Sequence, residues 1–320
     1  MLRISTAFYF QTGLNSLNKQ QSNLVHNFQQ LGSGKRMITA ADDPLAAAQA
    51  LRLGQSESMN VRFSENREVA MRNLGEEENA LMSLIPQVYE LKTRLVEVSN
   101  GTLSDSDRNT IADVLTEMRD SIQGLMNSQD GNGQYLFSGS KGNVEPFSLI
   151  THIDGVTGEV THKEYQYEGD SRARLIQADQ TRQIDSADDG LTVFGGGSEN
   201  ILNIMNSVID TLRNKDELTG QAYDDQFKAV VGGAMTSVDK IYDNILTVRA
   251  SVGARMNEIE AIEDSGKMQN LHLRTELSRL EDLDFYSAAS QLELRRAGLE
   301  AASIAFQKIQ ATSLFAMNSR

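Results

Sequence analysis

The feature that most constrains this chain is a pair of matching heptad patterns at its two ends. Near the start, alternating spacings of three and four connect Ala7, Phe10, Leu14, Leu17, Gln21, Leu24, Phe28 and Leu31. Near the end, the same spacing connects Phe285, Ala288, Leu292, Arg295, Leu299, Ala302, Phe306, Ile309 and, after one gap at Ser313, Ala316. Each pattern predicts a helix with one narrow apolar seam, which needs a partner helix. We expect the two helices to pair antiparallel and to need further neighbours, because a short coiled coil is marginal alone.

Further helices are predicted inside these ends. A seam follows Leu74, Leu81, Leu84, Val88, Leu91, Leu95 and Val98, with Glu77 in the remaining slot. Pro86 predicts a kink in this helix rather than its end, and Gly101 closes it. Ser104 and Asp107 resemble a weak capping box that opens the next helix. After residue 200 the period predicts a short helix and then a long one.

The middle of the chain, from residue 130 to 197, loses the helical period and gains glycines and turn pairs. Three segments are strand candidates: EVTHKEYQYEG, ARLIQ and LTVF. The stretch FGGGSEN closes this insert, and Ser198 or Asn200 caps the helix that follows.

These patterns predict a mainly α fold with a small β-rich insert and a nested order of segments. The terminal coiled-coil helices span 1–43, with a joint at the end, and 275–320. A helical rod domain occupies 44–135 and 198–274, and the β-rich insert occupies 136–197.

Composition narrows the class of protein. The chain has 320 residues, no cysteine and a net charge of −14. The missing cysteines exclude thiolate catalysis, cysteine-ligated zinc and disulfides. The acidic balance argues against nucleic acid as a partner. No apolar run suits a cleaved signal or the roughly 20 residues of a membrane span, so composition alone indicates a cytosolic protein.

The stretch QLGSGKRMITAADDP invites two chemical interpretations. A phosphate-binding loop requires two glycines with four residues between them, then a lysine, and then a serine or threonine. Gln29 and Arg36 stand at those two positions, so the motif is not formed. The acidic pair before Pro44 could hold a metal ion only with further oxygen ligands, which the sequence does not supply. Asp43 as the N-cap and Pro44 as the first helical residue account for this segment. We therefore expect a joint between two helices, with Gly32 and Gly34 ending the first.

No other segment offers a catalytic constellation. The four histidines are not spaced as helical metal ligands, and His26 falls on the solvated side of the first seam. The nucleophile elbow of serine hydrolases is missing as well. The sequence therefore predicts no catalytic, cofactor-binding or metal-binding residues. A secreted enzyme or metal-binding effector that uses Asp188, Asp189 and His162 in the insert is a remote alternative, because acidic loop residues usually face water.

Two terminal motifs resemble the flagellin superfamily. They are LGSGKRMITAADDPLAAAQALR near the start and SRLEDLDFYSAASQLELRRAGLEAASIAFQKIQATSLF near the end. Two middle motifs, DGNGQYLFSGSKGNVEPF and YEGDSRARLIQADQTRQIDSADDGLTVF, are similar to the branch of that superfamily that joins the flagellar hook to the filament. A short flagellin that builds the filament itself is the alternative.

The resemblance implies a self-assembling structural protein rather than an enzyme. It implies export through the flagellar type III apparatus, a cytosolic export chaperone, and a ring placed outside the cell between hook-associated protein 1 and flagellin. It implies no nucleic acid and no membrane partner. The assembly seam would consist of Phe10, Leu14, Leu17, Leu24, Phe28, Leu31, Phe285, Leu292, Leu299, Phe306 and Ile309. The inter-domain joint would consist of Gly32, Gly34, Asp43 and Pro44.

Overall fold

The computed structural model describes residues 2–99, 104–153, 160–213 and 221–318. The described chain is mainly helical. Its α-helices are α1 (Leu2–Ser33), α2 (Pro44–Ser99), α3 (Asp105–Met126), α4 (Gly190–Phe194), α5 (Ile201–Arg213), α6 (Gln221–Glu281) and α7 (Phe285–Asn318). Its strands are β1 (Phe147–Ile153), β2 (Val160–Tyr167), β3 (Leu175–Gln177) and β4 (Gln183–Asp185). None of the described helices combines the length and the hydropathy of a membrane span.

The chain divides into two compact units. The first, called the terminal unit here, contains residues 1–60 and 267–320, and the second, called the central unit, contains residues 61–266. The β-rich insert expected over 136–197 falls inside the central unit, which is a mainly α fold with a few short strands. The division of the chain into terminal, rod and insert domains stays a prediction.

The predicted seam of α2 forms one side of the core of the central unit. Its buried residues are Leu74, Leu81, Leu84, Val88, Leu91, Leu95 and Val98. Glu77 occupies the predicted slot within this seam and is itself buried. α6 contributes the matching residues Val231, Ala234, Val238, Ile241, Ile245, Val248, Val252 and Ile259. Both helices continue through internal glycines, because burial of an apolar seam over many turns stabilises them.

Two of the predicted helix signals appear in the structure. Pro86 lies inside α2, which continues on both sides of it. The Ser104 side chain accepts a hydrogen bond from the backbone of Asp107, whose carboxylate accepts one from the backbone of Ser104, so the capping box of α3 is complete. Gly101, the residue expected to close α2, lies outside the described residues.

The β-rich part contains two antiparallel pairs. β1 pairs with β2, with Phe147 opposite Tyr167, and β3 pairs with β4. The expectation that LTVF forms a strand is wrong, because these residues belong to α4. Asp189 caps that helix: its carboxylate accepts from the Thr192 backbone N–H at 3.0 Å. A short apolar run is compatible with either a strand or a buried helix. Here the N-cap at Asp189 favours the helix.

Two asparagine side chains cover the outer edges of the β1–β2 pair. The Asn127 amide donates to the carbonyl of Phe147 at 2.9 Å and accepts from its N–H at 3.0 Å. The Asn203 amide does the same for Tyr165, at 2.8 Å in both directions. Each side-chain amide therefore forms the two hydrogen bonds that a residue of a further strand would form. It thereby prevents another chain from pairing at that position of the sheet edge. Asn200 caps α5 by accepting from the Leu202 N–H at 2.9 Å.

Candidate assembly surface

Helices α1 and α7 pack against each other antiparallel within the terminal unit, as the sequence predicts. The rings of Phe10 and Phe306 lie 5.2 Å apart between centroids. Farther along the pair, an Nη of Arg295 donates to the carbonyl of Asn23 at 3.2 Å. Gly13 lies directly under Phe306, since a Cβ built on it would be 2.8 Å from the ring. The terminal heptads are therefore partners of one another.

The contact between the two helices is narrow. The predicted seam residues that are partly covered are Leu14, Leu17, Leu24, Leu31, Leu292, Leu299 and Phe306. Asn27 is the one side chain of α1 that is fully buried among those described, and Ala288 is its counterpart on α7. Helix α7 covers only one strip of α1, whereas the apolar residues of α1 extend over a wider face.

Several predicted seam residues lie outside this contact strip. Phe28 is 55% exposed while its neighbour Asn27 is 3% exposed, so the buried strip is rotated by about one residue from the heptad. Leu24 and Leu31 on either side remain partly covered, so the offset at Phe28 is local. Phe10, Phe285 and Ile309 are also exposed, although the first contacts Phe306.

The terminal pair exposes large apolar side chains on both of its helices, as α2 also does. On α7 Tyr286 is 92% exposed and Leu294 is 70% exposed. The described members of this set on the two helices, called the exposed apolar set here, are Phe8, Phe10, Val25, Phe28, Phe285, Tyr286, Leu294, Ile304 and Ile309. Apolar side chains scattered singly are ordinary on a protein surface, whereas nine on two paired helices make this face a candidate contact surface.

The first helix ends at the joint between α1 and α2. Gly34 has a φ of 69°, a left-handed conformation that favours glycine, and its N–H still bonds to the carbonyl of Gln30 at 2.9 Å. The expectation that both glycines end α1 is wrong for Gly32, which is helical, since α1 continues to Ser33. A left-handed residue just after the last helical turn is the usual way to satisfy terminal carbonyls.

The joint is fastened to the other connection of the terminal unit, between α6 and α7. We call this arrangement the clasp, which consists of residues 34–36 and 280–283. Its backbone bonds are Arg36 N–H to Glu281 O at 2.7 Å, Leu283 N–H to Gly34 O at 2.9 Å, and a bridge between Lys35 and Asp282. The two connections are therefore held together rather than independent.

The side chain of Arg36 reinforces the clasp. Its Nε and Nη2 donate to the carbonyl of Leu280 at 3.2 and 3.0 Å, and its Nη1 bonds to the carboxylate of Asp43 at 3.2 Å. The carbonyl of Leu280 is in the last turn of α6, where helix carbonyls lack internal partners and a positive charge is favourable. The carbonyl of Arg36 accepts from the Gln30 side chain at 2.6 Å. Arg36 thus links the ends of three helices.

The two aspartates of the joint have structural partners. Asp42 accepts from the N–H groups of Ile38 and Thr39, each at 2.9 Å. These bonds hold the pKa of the Asp42 carboxyl below its usual range, with a smaller contribution from His26, whose Nε2 lies 3.7 Å away. The carboxylate therefore organises the joint.

Asp43 caps α2, the role that the sequence predicts. Its Oδ1 accepts from the Ala46 N–H at 3.0 Å, and Pro44 is the first helical residue. This bond lowers the pKa of the Asp43 carboxyl, and Arg36 lowers it further. Among the predicted site residues, the structure therefore brings Gly34 and Asp43 to the clasp. It adds Arg36 and residues 280–283, which local sequence patterns do not connect with the joint.

Comparison with known proteins assigns the class. The N-terminal helical region of bacterial flagellins matches residues 4–142, and the C-terminal helical region matches residues 235–316. The chain belongs to the flagellin superfamily. Within it, the chain is 28% identical to flagellar hook-associated protein 3 of Salmonella typhimurium strain LT2, over 99% of this chain and 100% of that protein.

Two further comparisons complete the assignment. A flagellin of Clostridium tyrobutyricum is 22% identical over 87% of this chain and 91% of that protein. Among solved structures, a flagellar hook-associated protein from Vibrio parahaemolyticus has the same fold, with a TM-score of 0.62 and 23% identity over 75% of this chain and 100% of that one. The similarity to hook-associated protein 3 is thus higher in identity and in coverage than the similarity to this flagellin.

Proposed function

We propose that this protein is a structural adaptor that assembles with itself and joins the flagellar hook to the flagellin filament. The observation that carries the proposal is the exposed apolar set on α1 and α7. A pair of helices that covers one strip and exposes the rest is suited to packing against the same pair in neighbouring copies. The full-length similarity to hook-associated protein 3 supports the junction as the place of assembly.

The partners follow from that position. One axial face of the assembly would meet hook-associated protein 1, and the other would meet the first flagellin subunits. The predicted assembly seam, from Phe10 to Leu31 and from Phe285 to Ile309, would lie between copies as well as within one. The joint residues would hold the terminal unit in a fixed geometry through the clasp. Such a role requires no enzymatic step and no cofactor.

The route to this position is part of the proposal. We infer export through the flagellar type III apparatus, with a cytosolic chaperone bound beforehand, and a final place outside the cell. A chaperone suits a chain with this much exposed apolar surface, because unassembled copies aggregate through such surfaces.

A deletion strain tests the function. We expect cells without this protein to build hooks, to lack filaments and to release flagellin into the medium. Filaments of normal number and attachment in the deletion strain would contradict the proposal.

Complementation tests the surface. We expect the double substitution Phe28→Ser and Leu294→Ser to leave most cells without filaments, because both side chains are exposed and their loss affects contacts between copies more than folding. The matched control is Gln29→Ser with Gln291→Ser, which changes exposed polar positions on the same helices and is expected to restore filaments. Equal filament numbers for the two variants, at equal amounts of exported protein, would exclude this surface from assembly.

A short flagellin is the second candidate, supported by the flagellin relative. Adding the purified protein to filament fragments separates the two functions. Continued growth from the fragments would favour flagellin, whereas a short cap that stops growing supports the junction.

A further inference from the structure

The central unit contains a buried carboxyl group that belongs neither to the exposed apolar set nor to the clasp. Glu77 is 0% exposed and lies in the apolar seam of α2 between Leu74 and Leu81. Burying an ionised carboxylate costs on the order of several kcal/mol of folding free energy, unless other groups compensate its charge. The position therefore requires either a full set of partners or a neutral carboxyl group.

The partners of Glu77 come from a segment that we call the anchor segment, residues 183–194, which contains β4 and α4. Oε1 of Glu77 accepts from the Asp188 N–H at 3.2 Å, while Oε2 is buried and accepts no hydrogen bond from the described residues. The Asp188 carboxylate forms an ion pair with Arg255 of α6. Nη1 of Arg255 also donates to the carbonyl of Asp185 at 3.1 Å. The Arg255 guanidinium thus holds the anchor segment through one carboxylate and one backbone carbonyl.

The charges around Glu77 do not balance. Burial, and then the negative charge of Asp188, raise the pKa of Glu77 well above its usual range, and Arg255 offsets only part of this. Asp188 from the anchor segment and Arg255 from α6 are the charged groups that face it. Its neighbours Glu76 and Glu78 on α2 are half-buried, and Glu78 pairs with Arg249 at 2.7 Å.

We propose that Glu77, Asp188 and Arg255 form a proton-dependent lock that holds the anchor segment against α2 and α6. With its proton, Glu77 is neutral and can donate to the Asp188 carboxylate, which remains paired with Arg255. Without the proton, Glu77 and Asp188 are two adjacent carboxylates at a buried position, and the one guanidinium beside them pairs with Asp188. Ionisation therefore weakens the attachment of the anchor segment. The lock lies wholly in the central unit and does not depend on the junction function.

The direction of the pH effect follows from the raised pKa. The folded state binds the Glu77 proton more tightly than the unfolded state, whose carboxyl has an ordinary pKa of about 4.3. The stabilisation is therefore fully present below that value. It is lost as the pH rises toward the pKa of the folded state, and each unit of difference corresponds to about tenfold in the folding equilibrium.

Hydrogen exchange of the intact protein at a series of pH values tests the lock. After correction for the intrinsic exchange rate, we expect the wild-type anchor segment to lose protection as the pH rises above about 4.3. We expect Glu77→Gln, which keeps a neutral donor, to retain protection across the same range. Glu78→Gln, which removes a charge from the adjacent residue, is the matched control and should follow the wild type.

The wild-type profile alone can overturn the lock. Anchor-segment protection that does not change with pH would do so, even if Glu77→Gln fails to fold. Parallel pH profiles for the wild type and Glu77→Gln would overturn it as well. A flattened profile in Glu78→Gln as large as that in Glu77→Gln would show a general charge effect and equally reject the lock.

Discussion

At the scale of single residues, two glycines that look alike in the sequence differ in the structure. Gly34 has a φ of 69°, and a Cβ on it would lie 3.6 Å from the ring of Phe285. Gly32 is inside α1, and a Cβ there would meet nothing within 4 Å. The first position needs glycine for its backbone conformation, and the second does not.

Alanine substitutions should therefore have opposite effects at these positions. We expect Gly34→Ala to destabilise the clasp by roughly 1–2 kcal/mol, because an L-residue is strained in the left-handed region. Gly32→Ala should stabilise α1 by roughly 0.5–1 kcal/mol, because alanine loses less backbone entropy in a helix. Exchange of the Leu283 amide, which bonds to the carbonyl of Gly34, reports on the clasp. Faster exchange in both variants, or in neither, would contradict this assignment.

At the scale of elements, the clasp connects helix ends that are far apart in the chain. Arg36 and Leu280 are 244 residues apart, and the arginine covers a carbonyl that the last turn of α6 leaves without a helical partner. Lys35, by contrast, forms an exposed ion pair with Glu281 at 2.9 Å. Both side chains carry one positive charge, but only Arg36 joins several helix ends.

Replacing each cation with glutamine separates these roles. We expect Arg36→Gln to reduce the exchange protection of the clasp about tenfold, since hydrogen bonds from a charged donor are lost. Lys35→Gln should change it by no more than about twofold, because exposed ion pairs contribute little. Amide exchange at Arg36 or its replacement and at Leu283 provides the measurement. Similar losses in the two variants would mean that charge alone, rather than the bonds of Arg36, holds the connections together.

At the scale of the whole molecule, the two units differ in how many side chains they bury. In α1 and α7 the described side chains include only Asn27 and Ala288 as fully buried residues. The core of the central unit contains buried apolar residues from α2, α3, α5 and α6. Regions with few buried apolar contacts open at a lower free energy than the rest of a protein.

The dilute monomer should therefore show two levels of protection. We expect fast amide exchange over residues 10–31 and 285–309 and slow exchange in the core of the central unit. Assembly should slow exchange in the terminal helices, because neighbouring copies cover the exposed apolar set. Hydrogen exchange with mass spectrometry on monomer and assembly gives both values. Strong protection of the terminal helices in the monomer would show that they are stable without neighbouring copies, and would contradict this prediction.

The parts of the fold that could be predicted are those with a local signal. The heptads of α1, α2 and α7 repeat within a few residues, and the capping box of α3 spans four. The contacts of Arg36 with Leu280 and of Asp188 with Glu77 join positions 244 and 111 residues apart, so no local pattern marks them. The burial of Asn27 in place of Phe28 could not be predicted from the sequence either, because it depends on which face of α7 packs against α1.

The antiparallel pairing of α1 with α7 also determines the order in which the chain can fold. Asn23 and Arg295, which meet in that pair, are 272 residues apart, so the contact encloses nearly all of the chain. α3 and α5, which pack together in the central unit, are separated by a much shorter stretch of chain, residues 127–200. Because the entropy of loop closure grows with loop length, the central contacts can form before the terminal pair. During synthesis α1 therefore stays without its partner until α7 has been made.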